Sequence, residues 1–406
     1  MRLNRYFSIV LCCIFNTTVV EMTCEAYVPS LPTIKNFFNS TEYITEFIVV
    51  AYLVGLSISG IIFGPISDLV GRKKIMIGGS LLFLLSSFLC YWCYFMPSIY
   101  ILIFANFMQG FGGGAAMISS FAGVCDKYFG VYLSNIMTRL NVSISIAPVI
   151  GSIAGSIILY CFDWHYIPMF LTLVSLLLLV INLNTEEINH VSHVELGKDI
   201  VFKHIFESYR NLFKNKTFIL FTLIQTMTIA TIWGEVSNLP FVYIQSMKSS
   251  NLVYGFIIVL IMVSYVFGAF LNQCYADKIG RKQMIYCGVL VTIFFNILIV
   301  FCHYKIGLNP FLLTILKLPT SFVLPFVTIN SSTIALNAVK NTKGASTAFL
   351  ESAQTTGGAL YVFLLSLFYD GTMLPMSILS IIVFAGILVL HAYISENNPD
   401  SHYLTA

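Results

Sequence analysis

Two stretches of the chain decide the fold: GPISDLVGRKKIMIGG at Gly64–Gly79 and QCYADKIGRKQMIYCG at Gln273–Gly288. Both contain the order D-x-x-G-R-K, and each residue of the second copy follows its counterpart by 209 positions. The matching residues are Asp68, Gly71, Arg72 and Lys73 in the first copy and Asp277, Gly280, Arg281 and Lys282 in the second. Basic loops that merely hold an orientation would explain the Arg and Lys but not the shared Asp and Gly. The spacing therefore predicts an internal repeat of about half the chain.

The sequence around both stretches is strongly apolar. Of 406 residues, 58% are hydrophobic and 10% are charged, whereas soluble chains carry about a quarter charged residues. The apolar residues run in blocks of about 20, the length that spans about 30 Å of hydrocarbon as a helix, and they do not alternate as barrel strands do. The composition excludes a cytosolic enzyme and a nucleic-acid-binding protein, and it predicts an all-α integral membrane protein.

Twelve apolar blocks can be counted, six on each side of one long polar stretch. Their approximate bounds are 6–30, 43–65, 75–96, 99–122, 135–160, 165–184, 215–240, 252–275, 283–303, 309–335, 345–368 and 372–394. We therefore predict an N-terminal six-helix bundle at 1–184, a cytoplasmic linker at 185–214 and a C-terminal six-helix bundle at 215–406. The apolar stretch near the N-terminus is interpreted as a retained first span, because no cleavage site of small residues follows it.

The basic residues predict the orientation. If the N-terminus is cytoplasmic, nearly all of the 21 Lys and Arg fall on the inner side. The exceptions are Lys35, Lys248 and Lys305 on the outer side and Lys317 within a span. The positive-inside rule then places both termini in the cytoplasm of a cell whose inner membrane the chain crosses.

No cofactor, metal site or catalytic centre is predicted. The ten cysteines are scattered through apolar blocks, and the C-x-x-C of Cys90 and Cys93 has neither a second pair nor a His cluster. They are better explained as small buried apolar residues. The sequence also lacks a nucleophile–base set and a phosphate-binding loop, which argues against a membrane enzyme.

The repeated loop resembles a family signature. D-x-x-G-R-[RK] after the second span is similar to the best-known motif of the major facilitator superfamily of transporters. The resemblance implies two pseudo-symmetric six-helix bundles around a central cavity. It also implies a cytoplasmic latch that clamps helix ends together through charge-assisted pairs. The latch residues would be Gly64, Asp68, Gly71, Arg72, Lys73, Asp277, Gly280 and Arg281.

Other segments resemble the bicyclomycin-resistance type (Bcr/CflA) of drug–proton antiporters. EAYVPSLPTI at Glu25–Ile34 is similar to the family's D-M-Y-L-P-A-L-P segment, with Glu25 on the acidic position. IAPVIGSIAG at Ile146–Gly155 is similar to the A-P-x-x-G-G antiporter motif, in which Pro148 would bend the helix and Gly151 would pack it closely. SNLPFVYI at Ser237–Ile244 is similar to the family's S-G-S-P-F-V-Y in the seventh span.

The fourth span departs from that family. It keeps Gln109, a candidate cavity residue, and Asp126 of the pattern, but it has Asn106, Phe121 and Cys125 where arginines are usual. In the family's antiporters the arginine at the position of Phe121 is tied to proton coupling. Its replacement leaves both the coupling mechanism and the direction of transport open.

Carboxylates inside the spans are the main candidates for coupling and binding sites, because a charge at the bilayer centre costs about 2.5–3.5 kcal/mol on insertion scales. Glu21 and Glu25 are four residues apart and share one face of the first helix. Two such carboxylates repel when both are ionised, so we expect one of them to load and release a proton. The simpler alternative places Glu25 at the outer interface. Glu235, near the repeat equivalent of Glu25, would face the same cavity and favour cations.

Further polar residues lie in the later spans. Glu351 and Gln354 are neighbours on the eleventh span, and Glu351 would either contact substrate or pair with Lys317. Lys317 is a lone cation in the tenth span and requires such a partner. The aromatic residues that we expect to line the cavity and stack on flat or cationic substrates are Tyr27, Trp233 and Tyr361.

The predicted function is secondary active transport by alternating access. The first hypothesis is proton-coupled efflux of amphipathic drugs or small metabolites, and the second is import or exchange of a small nutrient or siderophore. The expected partners are a small-molecule substrate, protons and the lipid bilayer, without nucleic acid, and we expect a monomer. The substrate, the coupling ion and its stoichiometry do not follow from the sequence.

Overall fold

The described part of the chain is all-helical, as predicted. The computed structural model describes residues 2–128, 130–185, 210, 212–339 and 343–397, and these residues contain helices and connecting turns but no strand. They group into two compact units, Met1–Glu207 (unit 1) and Ser208–Ala406 (unit 2).

Unit 1 begins with an interrupted helix. Helix α1 (Arg2–Tyr27) passes through a 3₁₀ turn (Val28–Ser30) into the short α2 (Leu31–Phe37). The other helices among the described residues of unit 1 are α3 (Glu42–Val70), α4 (Arg72–Trp92), α5 (Ile99–Lys127), α6 (Gly130–Cys161) and α7 (Tyr166–Asn184).

Unit 2 also begins with an irregular helix. Helix α8 (Lys216–Pro240) changes into a π-helical segment (Phe241–Ser246) directly after Pro240. The remaining helices are α9 (Asn251–Ile279), α10 (Arg281–Lys305), α11 (Pro310–Asn337), α12 (Lys343–Phe368) and α13 (Leu374–Asn397).

Each predicted span coincides with a long helix of the described residues. Within the described part of the chain, ten helices are long and apolar enough to cross a membrane. Of the other two predicted spans, the fifth lies in α6, where the apolar stretch is the shorter Ile146–Cys161, and the eleventh is the 26-residue α12. The predicted linker falls largely on residues 186–209, which lie outside the described part of the chain.

Polar side chains set several helix starts. Thr41 caps α3 by accepting from the Ile44 amide (3.3 Å), and Asn215 caps α8 by accepting from the Phe218 amide (3.0 Å). Asn309 does the same for α11 through the Leu312 amide (2.8 Å). Each cap satisfies an amide that the first helical turn leaves unpaired.

The repeat is visible in the backbone. Gly71 ends α3 and begins α4 at φ 109°, and Gly280 ends α9 and begins α10 at φ 102°. Side chains rarely adopt this region, so glycine suits both turns. At the same spacing of 209, Gly79 packs against the Gly112 carbonyl and Gly288 against the Val323 carbonyl.

Each unit has polar residues inside and apolar residues outside. Buried Asn16 and Asn182 form a reciprocal amide pair (2.9 and 3.2 Å) between α1 and α7. The outer faces of α4 and α9 instead carry exposed Leu85, Phe88 and Phe267. Burying hydrogen-bonded polar groups and exposing apolar ones is the arrangement that a lipid environment favours.

Candidate functional site

Glu25 is buried where α1 crosses α6. Its side chain is 4% exposed, and the Ser152 hydroxyl donates to its Oε2 at 3.1 Å. No cation lies within ion-pair distance of this carboxylate among the described residues. The site therefore offers Glu25 one neutral hydrogen-bond donor.

Glycines bring the two helices together at this point. A Cβ atom on Gly151 would lie 2.3 Å from the Met22 carbonyl oxygen, and one on Gly155 would lie 2.2 Å from that of Ala26. Only glycine therefore fits at both positions. Helix α6 continues through Pro148 up to Cys161. The antiporter-like motif of α6 packs directly against the turn of α1 that carries Glu25.

Among the described residues, the other unit 1 candidates form no hydrogen bond with Glu25. Glu21 is half-buried one turn earlier on α1 and takes part in an interaction of its own. Tyr27 ends α1 and is 1% exposed, so its ring belongs to the core of unit 1. Gln109 is fully buried in α5 and donates from Nε2 to the Ser87 hydroxyl of α4 (2.8 Å). Its amide group connects α5 to α4.

The fourth-span positions that lack arginine hold local contacts. Asn106 donates to the Leu102 carbonyl (2.9 Å) and to the Cys90 sulfur (3.6 Å). Phe121 packs against an apolar cluster that includes Cys12 and Cys13. None of these side chains supplies a positive charge.

Unit 2 contains an intramembrane ion pair. The Lys317 ammonium of α11 is bound to Oε1 of Glu235 on α8. The lysine side chain is 0% exposed and the glutamate 13%. Lys317 does have the partner that the sequence required, but the partner is Glu235. Pairing with Lys317 was one of the two roles left open for Glu351, and Glu235 takes that place.

Glu351 and Gln354 share helix α12 with different exposure. The Glu351 side chain is exposed, whereas Gln354 is 8% exposed. Farther along α12, the Tyr361 ring packs on Gly234, whose added Cβ would lie 2.3 Å from it. Trp233 packs in the same way on Gly358, at 2.6 Å. Glycines therefore allow α8 and α12 to pack closely around these two rings.

The latch region is anchored by Arg72. Its Nε donates to Oδ2 of Asp126 at 3.0 Å, and its Nη1 donates to the Ser67 hydroxyl and to the Gly64 carbonyl (3.4 Å). Arg72 is 7% exposed. Because Arg72 begins α4 and Asp126 lies at the end of α5, this contact joins the two helices. The side chains of Asp68 and Asp277 lie outside the described part of the structure.

Other latch residues occupy the turns themselves. Gly71 and Gly280 form the turns described above, Lys73 is half-buried, and Arg281 makes an interaction at the start of α10. The position 209 residues after Asp126 is Ala335. The second copy therefore lacks an acid at the place that binds Arg72 in the first.

Sequence reasoning gave no site role to Ser152, Asp126 or the buried carboxylate Glu46. Ser152 lies next to Gly151 in the antiporter-like motif, but a serine in an apolar helix carries no distinguishing signal. Asp126 was noted only as part of the fourth-span pattern. Glu46 of α3 is 0% exposed, and its place inside the second span was the available signal.

Comparisons with known proteins point to one family. A model described as Major Facilitator Superfamily matches residues 9–248. An uncharacterized transporter of Rickettsia bellii is 26% identical over 287 residues, 70% of this chain and 68% of that protein. Multidrug resistance protein MdtL of Vibrio parahaemolyticus is 28% identical over 57% of each chain. A bicyclomycin resistance protein homolog of Haemophilus influenzae is 23% identical over 64% of each. The matches thus span about two thirds or less of these relatives.

Solved structures agree on the fold. A D-xylose–proton symporter superposes with a TM-score of 0.75 at 14% identity, covering 94% of this chain and 97% of that one. A bacterial homolog of the human lysosomal transporter Spinster superposes with a TM-score of 0.73 at 11% identity, covering 97% of each chain. The resemblance to the bicyclomycin-resistance type is confirmed by the relatives. The repeat, the helices and these matches together show that this chain is a multi-pass membrane transporter, not an enzyme, and belongs to the Major Facilitator Superfamily.

Proposed function

We propose that this transporter couples the export of small drug-like or metabolic compounds to protons, with Glu25 as the coupling site. The buried Glu25 carboxylate, held by a single neutral hydroxyl, carries this proposal. A carboxylate buried without a cation costs least when it carries a proton. Proton loading thus favours burial of Glu25, and proton release favours its exposure.

The close crossing of α1 and α6 supports a coupling role. Glycines at positions 151 and 155 leave no space between α6 and the turn that carries Glu25. Displacement of the Glu25 side chain would therefore shift one helix against the other. A change of protonation at Glu25 is in this way converted into helix movement.

The relatives support export over import. Two of them are a multidrug resistance protein and a bicyclomycin resistance protein homolog. Import or exchange of a small nutrient is the second candidate, favoured by the absence of arginine at Asn106, Phe121 and Cys125. We place the chain in the inner membrane with both termini in the cytoplasm, because the basic residues favour that orientation. We also propose that it is a monomer.

Transport into inverted membrane vesicles with an imposed proton gradient tests the proposal. Chloramphenicol serves as an uncharged probe and ethidium as a cationic one. The wild type should accumulate a probe and release protons, whereas Glu25→Gln should exchange the probe only down its own gradient. Glu25→Asp, which keeps a titratable carboxyl group at this position, is the matched control and should retain uphill transport.

Two results would count against the proposal. Full uphill transport by Glu25→Gln with an unchanged pH profile would place the coupling site elsewhere. Accumulation in right-side-out vesicles alone would establish import.

A further inference from the structure

The Glu235–Lys317 pair in unit 2 takes no part in the coupling scheme above. Its two ends differ in access, since Lys317 is 0% exposed and Glu235 is 13% exposed. A molecule that reaches this pair therefore meets the carboxylate, with the ammonium enclosed behind it.

The pair is part of a polar seam between α8 and α11. At one end of the seam the Ser331 hydroxyl donates to Oε1 of Gln225 (3.2 Å). At the other end the hydroxyls of Tyr243 and Thr314 are hydrogen-bonded (3.0 Å). Thr314 lies one turn before Lys317 on α11, so the helix that carries the ammonium is held on both sides of it. The geometry keeps Lys317 in place behind Glu235.

The charges of the pair cancel. A cation bound at Glu235 would leave a net positive charge in a buried site, and an uncompensated charge there costs several kcal/mol. A hydroxyl or amide group adds no charge, and hydrogen bonds to an ionised acceptor are among the stronger ones. The pair should therefore bind uncharged hydrogen-bond donors more tightly than cations.

One aromatic ring, Tyr361 of α12, lies next to the pair. Gly234 precedes Glu235 and seats the Tyr361 ring, and Trp233 packs on Gly358. Trp233 lies two residues before Glu235 and faces away from it, so Tyr361 is the aromatic neighbour of the acceptor. Such a combination suits a compound with an apolar body and a few donor groups.

We propose that Glu235, neutralised by Lys317, is a specificity-determining residue that accepts hydrogen bonds from uncharged substrates bearing hydroxyl or amide groups and disfavours cations. The proposal rests on the transport function above and narrows its substrate class. It replaces the expectation that Glu235 recognises cations.

Ethidium binding to the purified full-length protein tests the charge argument without any proton gradient. Lys317→Gln keeps a donor for Glu235 and removes only the charge, and it should raise ethidium affinity at least tenfold. Glu235→Gln/Lys317→Gln removes both charges and should bind ethidium within about twofold of the wild type. Monodisperse elution in detergent confirms that each variant is folded.

Two binding results would overturn the proposal. One is a folded Lys317→Gln variant with unchanged ethidium affinity. The other is a tenfold loss of ethidium affinity in the double variant, which would show that the intact pair binds cations. The second comparison decides the question even if Lys317→Gln alone fails to fold.

The vesicle assay supplies the substrate class. The wild type should transport chloramphenicol, whose amide and hydroxyl groups are donors, in preference to ethidium. Replacing the pair by Glu235→Leu/Lys317→Met should lower chloramphenicol transport about tenfold relative to Glu235→Gln/Lys317→Gln, which keeps an acceptor. Transport of ethidium without chloramphenicol overturns the proposal. Transport of neither probe contradicts the export function, and the binding comparison still decides the role of the pair.

Discussion

The two units stabilise a buried carboxylate of their first helix in different ways. Each places a carboxylate shortly before an irregular segment of its first helix, Glu25 before the 3₁₀ turn at Val28–Ser30 and Glu235 before the π segment at Phe241–Ser246. In unit 1 the carboxylate has a serine hydroxyl, and in unit 2 it has a lysine. A repeated fold therefore does not imply a repeated charge state.

The difference suggests a division of roles between the repeats. A carboxylate with a neutral partner can gain or lose a proton without leaving a second charge unpaired. A carboxylate paired with a buried lysine cannot, because the ammonium would then be uncompensated. Interrupted helices beside such groups are typical of transporter binding sites.

The largest expected effect is on stability and has a different size in the two units. Glu235→Gln leaves the Lys317 ammonium buried without its counter-charge, so it should lower the free energy of unfolding by about 3–5 kcal/mol. Glu25→Gln should change it by about 1 kcal/mol or less, because the amide oxygen can still accept from Ser152. Unfolding in mixed micelles measures both variants. Glu235→Gln/Lys317→Gln should recover most of the loss, and equal losses for the two single variants would remove the distinction between the units.

The second-largest expected effect is a loss of stability at close helix crossings, and it should be similar in both units. Gly155→Ala would place a Cβ 2.2 Å from the Ala26 carbonyl oxygen in unit 1, and Gly268→Ala would place one 1.8 Å from the Phe322 carbonyl oxygen in unit 2. Each should destabilise the protein by about 1–3 kcal/mol through overpacking. Gly78→Ala, which meets no atom within 4 Å, is the matched control. A neutral result at either crossing would show that the helices there can separate at little cost.

The smallest effect concerns the latch of unit 1. Arg72→Gln and Asp126→Asn should each slow conformational exchange and leave substrate affinity nearly unchanged. A double-mutant cycle should give a coupling of about 1 kcal/mol, because Asp126 is 39% exposed and solvent screens the pair. Single-molecule distance measurements give the exchange rates. Lost binding with unchanged turnover would move these residues from the latch to the substrate site.

Several features could be predicted from residue pattern alone because they depend on local chemistry. Apolar blocks of membrane length predicted where the helices lie, and the D-x-x-G-R-K spacing predicted the repeat that recurs at Gly71 and Gly280. The need of Lys317 for an acidic partner likewise followed from the cost of a lone buried charge.

Only the tertiary structure decided which groups meet. The sequence offered Glu351 as a partner of Lys317 and placed Glu235 in the cavity, whereas the packing of α8 against α11 pairs Lys317 with Glu235, a contact that no sequence spacing records. Ser152 reaches Glu25 because glycines allow α6 to approach α1, and Arg72 reaches Asp126 because α4 begins where α5 ends. Helix positions follow from local apolar pattern, whereas contacts between residues distant in the chain depend on side-chain packing across helices.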